Sequence, residues 1–388
     1  MESVQAVATY VFWACAGLVA YAYVFYPVLL RILTVGRAGP VAPPIPQDDR
    51  LPSISVLIVA HNEDSIIRER VENLLTLDYP KDKLELVVAS DGSLDRTDAI
   101  VGEYGDRGVQ LRALSPRNGK ASALDRVVPT LRGDIVVLSD ANTMMEVSAL
   151  KRLVRWFSDP TVGVVCGRLV LTDPETGKNV DSAYWRYETF LKKCESKLGG
   201  LLGANGAIYA LRRDLFPGIH PSTIVDDFVI PLIARIRTGC QIIYDESAVA
   251  LEETPPELGM EFKRRTRIGA GDFQSLTLVW PVLNPAQGWI SFTFLSHKLL
   301  RWLCPFFLVG LAVSGLLLIN QPLYLGLFAL QLALYLVAFA GQFVSHQSPI
   351  SKLVRLTTMF AAMNAALLVG FFRWATTRQA GAWERTAR

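Results

Sequence analysis

DIVVLSDANTMM, residues 134–145, sets an aliphatic run suited to a buried strand directly against Asp140 and Asn142. Carboxylates are seldom buried without a partner, because removing charge from water is costly. A strand that stops on such a residue needs something at Asp140 that offsets the charge.

The segments around it repeat the pattern. ISVLIVA precedes a helix-like stretch reaching about Leu75. LELVVAS precedes LDRTDAIVGEY, VQLRAL precedes GKASALDRVVPTL, and DIVVLSD precedes VSALKRLVRWF. Near-continuous hydrophobic strands separated by helical segments indicate an α/β domain with a parallel sheet covered on both faces, of Rossmann-like type. After VGVVCGRLVL the pattern becomes mixed: a helix near 181–198, a strand at GAIYALRR, a helix at DDFVIPLIARI and a strand at QIIYDESAVAL. In such sheets ligands bind beyond the carboxyl ends of the strands. His61-Asn62-Glu63, Ser90-Asp91-Gly92-Ser93 and Ser139-Asp140-Ala141-Asn142 follow the first, second and fourth strands, so all three clusters are expected at one edge.

The ligand class follows partly by exclusion. HNEDS after the first strand lacks the glycines of a dinucleotide fingerprint, and NGKAS at 118–122 lacks the upstream glycine of a P-loop. Five scattered cysteines without a CxxC pair give neither a disulfide framework nor a zinc site, and four dispersed histidines add no metal spacing. Any metal is therefore expected on oxygen ligands. A nucleotide held by carboxylates and a divalent ion, Mg2+ or Mn2+, fits better than NAD or a P-loop nucleotide. No nucleic-acid partner is expected.

The chain is 51% hydrophobic with a formal charge of +3. Its apolar excess is concentrated at the two ends. Ala6–Leu30 and Trp302–Ile350 contain no Asp, Glu, Lys or Arg, and a last apolar run covers Leu356–Phe372. About 20 apolar residues cross a bilayer. The reading is an N-terminal transmembrane helix within 1–35, a soluble domain at 50–260, basic interfacial helices at 261–298, two or three transmembrane helices within 299–374, and a basic tail at 375–388. A cleaved signal peptide is the alternative for the N-terminus, but the run is long and lacks a basic start. Arg31, Arg37, Arg50, Lys298 and Arg301 favour a cytosolic soluble domain on an inner or plasma membrane. Three C-terminal spans would place Arg373 and the tail arginines on the far side, so either one run is not a full span or the tail opposes the trend.

Several polar residues carry candidate chemistry. Asp140 and Asn142, at i and i+2, share a side if the strand continues through them, and hard cations take one or two such ligands beside substrate phosphates. Asp91 either caps a turn or accepts hydrogen bonds from a base or ribose. Lys120 is a diphosphate or base contact, or a solvated lysine. Asp226 and Asp227 head an amphipathic helix, where the dipole favours carboxylates; repulsion between them can raise one pKa and suit a general base. Arg264 and Arg267, at i and i+3, share a helix face that either clamps a diphosphate or lies on acidic lipid.

Taken in order, SVLIVAHNED, VVASDGSLD, RNGKASALD, VVLSDANT, ANGAIYALRR, VDDF and RRTRI, with apolar helices on both sides, resemble the membrane-integral family 2 inverting glycosyltransferases. Cellulose, chitin, hyaluronan and poly-N-acetylglucosamine synthases and ceramide glucosyltransferase belong to that group. The resemblance covers about 50–272 by motif. It implies a GT-A fold and a nucleotide-sugar donor, usually UDP-linked. It implies nucleotide contacts at Asn62, Glu63, Asp91 and Lys120, metal binding at Asp140 and Asn142 in the place of a DxD motif, and a catalytic base at Asp227. Arg264 and Arg267 match the first and fourth positions of a (Q/R)xxRW motif beside the diphosphate. The chain departs from that pattern at Asn142, at Val225-Asp226-Asp227 in place of Thr-Glu-Asp, and at Ile268 in place of Trp.

The expected function is inverting, metal-dependent transfer of a sugar to a growing extracellular polysaccharide. Transfer of a single sugar to a membrane lipid is the alternative, and a non-catalytic nucleotide-sugar-binding membrane protein is the rival from another class. A homo-oligomer or an export partner would complete a channel that four spans alone leave small.

Overall fold

The computed structural model describes residues 2–173, 183–253, 258–341 and 350–377. The chain forms two compact units, one of residues 33–256 and 274–293, the other of residues 1–32, 257–273 and 294–377. The basic stretch beyond residue 377 lies outside the described residues.

The first unit is built on one eight-stranded sheet: β1 Ile54–Ala60, β2 Leu84–Asp91, β3 Val109–Leu114, β4 Ile135–Asp140, β5 Thr143–Met145, β6 Val162–Thr172, β7 Tyr209–Arg212 and β8 Gln241–Glu253. Their spatial order is β3-β2-β1-β4-β7-β6-β8-β5. The half containing β3, β2, β1 and β4 is parallel, as the strand-helix alternation predicts. All seven residues of β1 are buried, because helices cover both faces of a parallel sheet. The other half is mixed. β7 runs antiparallel to both β4 and β6, β6 runs parallel to β8, and the short β5 pairs antiparallel with β8.

Register places the strand ends. Ala60 pairs with Ser90 and Val59 with Asp140, so β1, β2 and β4 release their chains at the same edge. The turn residues after them therefore meet there. One core runs through the sheet, from Val56, Ile58 and Val88 to Ile208, Ala210 and Ile243, closed by Val71 and Leu74 of the helix Ile67–Leu75 and by Leu150 and Leu153 of the helix Ala149–Val154.

The second unit is helical. Among the described residues, four helical stretches are long and apolar enough to cross a bilayer: Ser3–Thr34, Trp289–Leu317, Pro322–Ala340 and Leu353–Thr376. At 1.5 Å per residue, the shortest, of 19 residues, covers about 28 Å, close to the thickness of a hydrocarbon core. Three of the four follow residue 288, and the run Leu356–Phe372 sits inside the 27-residue helix Ile350–Thr376. Two of the stretches contain a π-helical turn, Tyr21–Phe25 and Phe294–Leu299, joined where the Tyr21 hydroxyl and Ser296 Oγ share a hydrogen bond of 2.9 Å.

The helix Leu258–Val279 crosses the helix Ile350–Thr376 with backbones in contact. A Cβ on Gly370 would lie 2.7 Å from the Ala270 nitrogen, so no larger residue fits there without separating the helices. Phe273 continues the crossing into a cluster with Phe306, Phe371 and Trp374, at ring separations of 5.1–6.4 Å.

Candidate active site

Asp140 is the last residue of β4, and a compensating charge stands beside it: Lys120 Nζ lies 2.8 Å from Asp140 Oδ1. The same ammonium is 3.2 Å from Asp226 Oδ2. That second contact is an ion pair by distance without hydrogen-bond alignment, since Asp226 Oδ2 is buried and makes no hydrogen bond. Lys120 opens the helix Lys120–Val127, and the acids around it hold it protonated well above the ordinary lysine range, against the opposing effect of its burial.

Asp226 and Asp227 begin the helix Asp226–Thr238, whose positive end favours negative charge. Asp226 is buried and Asp227 half-buried. Asp227 Oδ2 accepts a hydrogen bond of 2.8 Å from the Gly206 N–H. Burial, then the neighbouring Asp226, pushes the Asp227 carboxyl up to about 6; Asp140 adds to the rise, while Lys120 and the Gly206 N–H oppose it. One carboxylate of the adjacent pair is thereby tuned toward neutral pH.

Gly206 also touches Asp140. A Cβ at residue 206 would lie 2.9 Å from Asp140 Oδ2, so any larger residue in this segment before β7 would displace the Asp140 carboxylate. Tyr209, three residues on, is fully buried with its hydroxyl unpartnered, and burial together with Asp226, Asp227 and Asp140 keeps its phenol protonated well above the ordinary range.

Other expected residues act on loops. Both oxygens of the buried Asp91 accept backbone N–H groups, Asn118 at 2.9 Å and Gly119 at 2.7 Å. The carboxylate at the end of β2 therefore fixes the turn that delivers Lys120. Asn62 adopts a left-handed backbone conformation with φ 54°, accessible to Asn, and its Oδ1 accepts the Leu94 N–H at 2.8 Å. The Glu63 N–H donates to Thr97 Oγ1 at 2.8 Å. Together these bonds tie the loop after β1 to the loop after β2.

Asn142 departs from expectation. β4 ends at Asp140 and β5 begins at Thr143, so the extended geometry that would align residues 140 and 142 is interrupted by a turn. Asn142 Nδ2 donates to Glu252 Oε1 of β8 at 2.8 Å. A carboxylate accepts only, which fixes the amide orientation and leaves Asn142 Oδ1 as the end able to ligate.

Among the described residues no group of three or more His, Cys, Asp or Glu forms a metal cage. The donor set is one carboxylate, Asp140, with an amide oxygen nearby in sequence. That suits Mg2+ or Mn2+ bound mainly through substrate phosphates and water rather than a protein-only site.

Sequence reasoning missed Arg70. It is fully buried, with NH1 2.6 Å from Asn73 Oδ1 and NH2 2.8 Å from Ser139 Oγ, while Ser139 Oγ donates to the Ala207 carbonyl. Burial lowers its pKa to about 9 and Asp140 opposes the fall, which makes it a buried cation behind the strand end. A signal existed: Ile67, Arg70, Val71 and Leu74 form the buried stripe of their helix.

Arg264 and Arg267 lie in the helical unit, on the helix Leu258–Val279, both half-buried at i and i+3.

Residues 55–217 match the model of Glycosyl transferase family 2. A beta-monoglucosyldiacylglycerol synthase from Synechocystis is 26% identical over 292 residues, 71% of this chain and 61% of that protein. A poly-beta-1,6-N-acetyl-D-glucosamine synthase from Staphylococcus aureus is 24% identical, over 59% of this chain and 56% of that protein. The chain thus spans less than two thirds of the length of these relatives. Among solved structures, a mannosyltransferase from Pyrobaculum calidifontis in complex with GDP-Man and Mn2+ superposes with a TM-score of 0.71 at 21% identity, covering 96% of this chain and 99% of that one. The fold is GT-A, and the similarity to family 2 glycosyltransferases is carried by residues 55–217.

Proposed function

We propose that this chain is a membrane-bound inverting glycosyltransferase that moves a sugar from a nucleoside-diphosphate donor, UDP-linked as the motif resemblance implies, to an acceptor hydroxyl. One observation carries the reading: Asp227, with its carboxyl pushed up to about 6, stands beside a Lys120–Asp140 pair at the strand-end edge of a GT-A sheet. A base with that pKa is ionised at neutral pH yet still takes a proton in the transition state.

The acceptor oxygen attacks the anomeric carbon as its proton passes to Asp227, and the bond to the nucleoside diphosphate breaks with its electron pair on the departing oxygen. A single displacement of this kind inverts the centre. The Gly206 N–H keeps Asp227 oriented through Oδ2. Asp91 holds the loop at Asn118 and Gly119, and so holds Lys120 at the site of developing negative charge. When bound, Mg2+ or Mn2+ would supply Lewis-acid stabilisation of the diphosphate, with Asp140 and Asn142 as its protein ligands. Arg264 and Arg267 are proposed as diphosphate contacts on the strength of the motif resemblance.

For the acceptor, the longest of the reported relative matches, 71% of this chain, is to a glycolipid-forming enzyme, which favours a membrane lipid. The match to a poly-N-acetylglucosamine synthase supports the second reading, a growing extracellular polysaccharide. In both, the sheet unit works on the cytosolic face of an inner or plasma membrane. Detergent-purified protein incubated with radiolabelled UDP-sugars and Mn2+ tests the proposal. Label in the organic phase establishes lipid transfer, label in a large water-soluble fraction establishes polymer synthesis, and no release of UDP from any donor overturns the enzyme reading.

A further inference from the structure

We infer that Lys120 is the resident cation of Asp140 and keeps a divalent ion off that carboxylate until a nucleoside diphosphate arrives, so that metal and nucleotide bind as a coupled pair. The inference rests on the metal-assisted reading above and adds an order of binding to it.

Three observations carry it. First, Lys120 Nζ is 2.8 Å from Asp140 Oδ1, in the space an incoming ion would need. A Mg2+ or Mn2+ sits about 2.1 Å from a carboxylate oxygen. An ion on that oxygen would therefore face an ammonium at close range, with strong like-charge repulsion. Second, the protein donor set is small. Asp140 is a single carboxylate and Asn142 supplies a neutral amide oxygen, with its nitrogen committed to Glu252. Such a pair gains too little from a bare ion to expel a lysine, whereas a diphosphate brings both phosphate ligands for the ion and negative charge for the ammonium.

Third, Lys120 has somewhere to go. Asp226 Oδ2 lies 3.2 Å from Nζ, buried, without an aligned hydrogen bond. A small rotation of the lysine from Asp140 toward Asp226 and the diphosphate completes that bond as it breaks the Lys120–Asp140 pair. The movement leaves no new buried charge unpaired, the condition for a low-cost exchange. Asp91 fixes the start of the helix that carries Lys120, so the exchange is confined to the side chain.

The experiment is a Mn2+ titration of the detergent-purified full chain by electron paramagnetic resonance, alone and with UDP or GDP, for wild type, Lys120→Gln, Lys120→Met and Lys120→Arg. Wild type should bind Mn2+ at least tenfold more tightly with nucleotide than without it. The two neutral variants should bind Mn2+ alone at least tenfold more tightly than wild type, and the nucleotide–metal coupling should fall by the same factor, as linkage requires. Lys120→Arg, which keeps the charge, should retain exclusion. Asp140→Asn in the Lys120→Gln background should abolish the gain. Having two neutral variants guards against one failing to fold, judged by its thermal midpoint. Binding of Mn2+ alone that is unchanged or weaker in a folded neutral variant overturns the inference. Absence of nucleotide binding in all variants overturns the glycosyl-transfer reading instead, while the metal-alone comparison still decides the role of Lys120.

Discussion

Gly206 joins the two acidic centres of the site: its N–H holds Asp227 Oδ2 at 2.8 Å, and its Cα faces Asp140 so closely that a Cβ would lie 2.9 Å from Oδ2. This glycine, three residues before β7, therefore sets the separation between the proposed base and the proposed metal carboxylate. Gly206→Ala should force Asp140 aside and lower kcat by about a hundredfold, the scale of a 1 Å misplacement in an active site. The sheet core does not depend on this contact, so circular dichroism and thermal midpoint should change little. Wild-type turnover in the alanine variant would remove Gly206 from the site.

Asp227→Asn separates binding from chemistry. The amide cannot accept the acceptor proton, so transfer should fall by about 10² to 10⁴, the range of general-base contributions. Nucleotide affinity, measured by calorimetry with UDP and Mn2+, should stay within a fewfold of wild type. Stability gives an independent sign. A carboxyl whose folded pKa is raised to about 6 destabilises the fold above that pH, and the penalty fades as pH falls toward the unfolded value. Asp227→Asn should then show a thermal midpoint at pH 8 no lower than wild type.

Asp226→Asn tests the electrostatics of the pair. After burial, the Asp226 charge is the largest cause of the raised Asp227 pKa. Removing it should move the acidic limb of the pH–kcat/KM profile from near pH 6 to lower pH. A limb that stays in place would assign the titration to another group.

Much of this was readable before any coordinate. ISVLIVA is β1 residue for residue, because a strand buried on both faces shows as an unbroken aliphatic run, and VQLRAL is β3, an edge strand whose Gln110 and Arg112 reflect its mostly exposed or half-buried residues. The convergence of residues 62, 91 and 140 followed from parallel strand order alone. What stayed hidden depended on partners distant in sequence. Nothing in TMM marks β5, whose three residues gain strand geometry only by pairing with β8. Asp91 reads as a turn residue, and its true engagement, with the N–H groups of residues 118 and 119, spans a loop that periodicity cannot close. Likewise the sequence around Asn142 does not show that Glu252 of β8 takes its amide nitrogen and leaves only Oδ1 to ligate.

In the helical unit, Gly370 offers a stability test away from the chemistry. Its Cβ position lies 2.7 Å from the Ala270 nitrogen and 2.8 Å from the Gly269 carbonyl carbon, both backbone atoms that cannot rotate away. Gly370→Leu should part the two helices and lower the thermal midpoint in detergent, while Gly326→Leu, where a Cβ meets nothing within 4 Å, should not. Equal behaviour of the two variants would show that the crossing at Gly370 contributes little.

Arg70 is the residue whose loss should damage both fold and activity. Its guanidinium bonds Asn73 and Ser139, and Asn73 in turn holds both the N–H and the carbonyl of Met145 at 2.9 Å. The buried cation thus links the helix Ile67–Leu75 to the end of β4 and, through Asn73, to the end of β5. Arg70→Met removes charge-assisted bonds and leaves Asp140 with one fewer positive neighbour, at a cost of about 3 kcal/mol. Arg70→Lys should recover little of it, because a single ammonium cannot reproduce two bonds from a planar fork. Chemical unfolding of the two variants measures the loss, and nucleotide binding should weaken in step as the Asp140 strand end loosens. A Met variant as stable as wild type would mean that the charge is dispensable and that only the volume of the side chain matters.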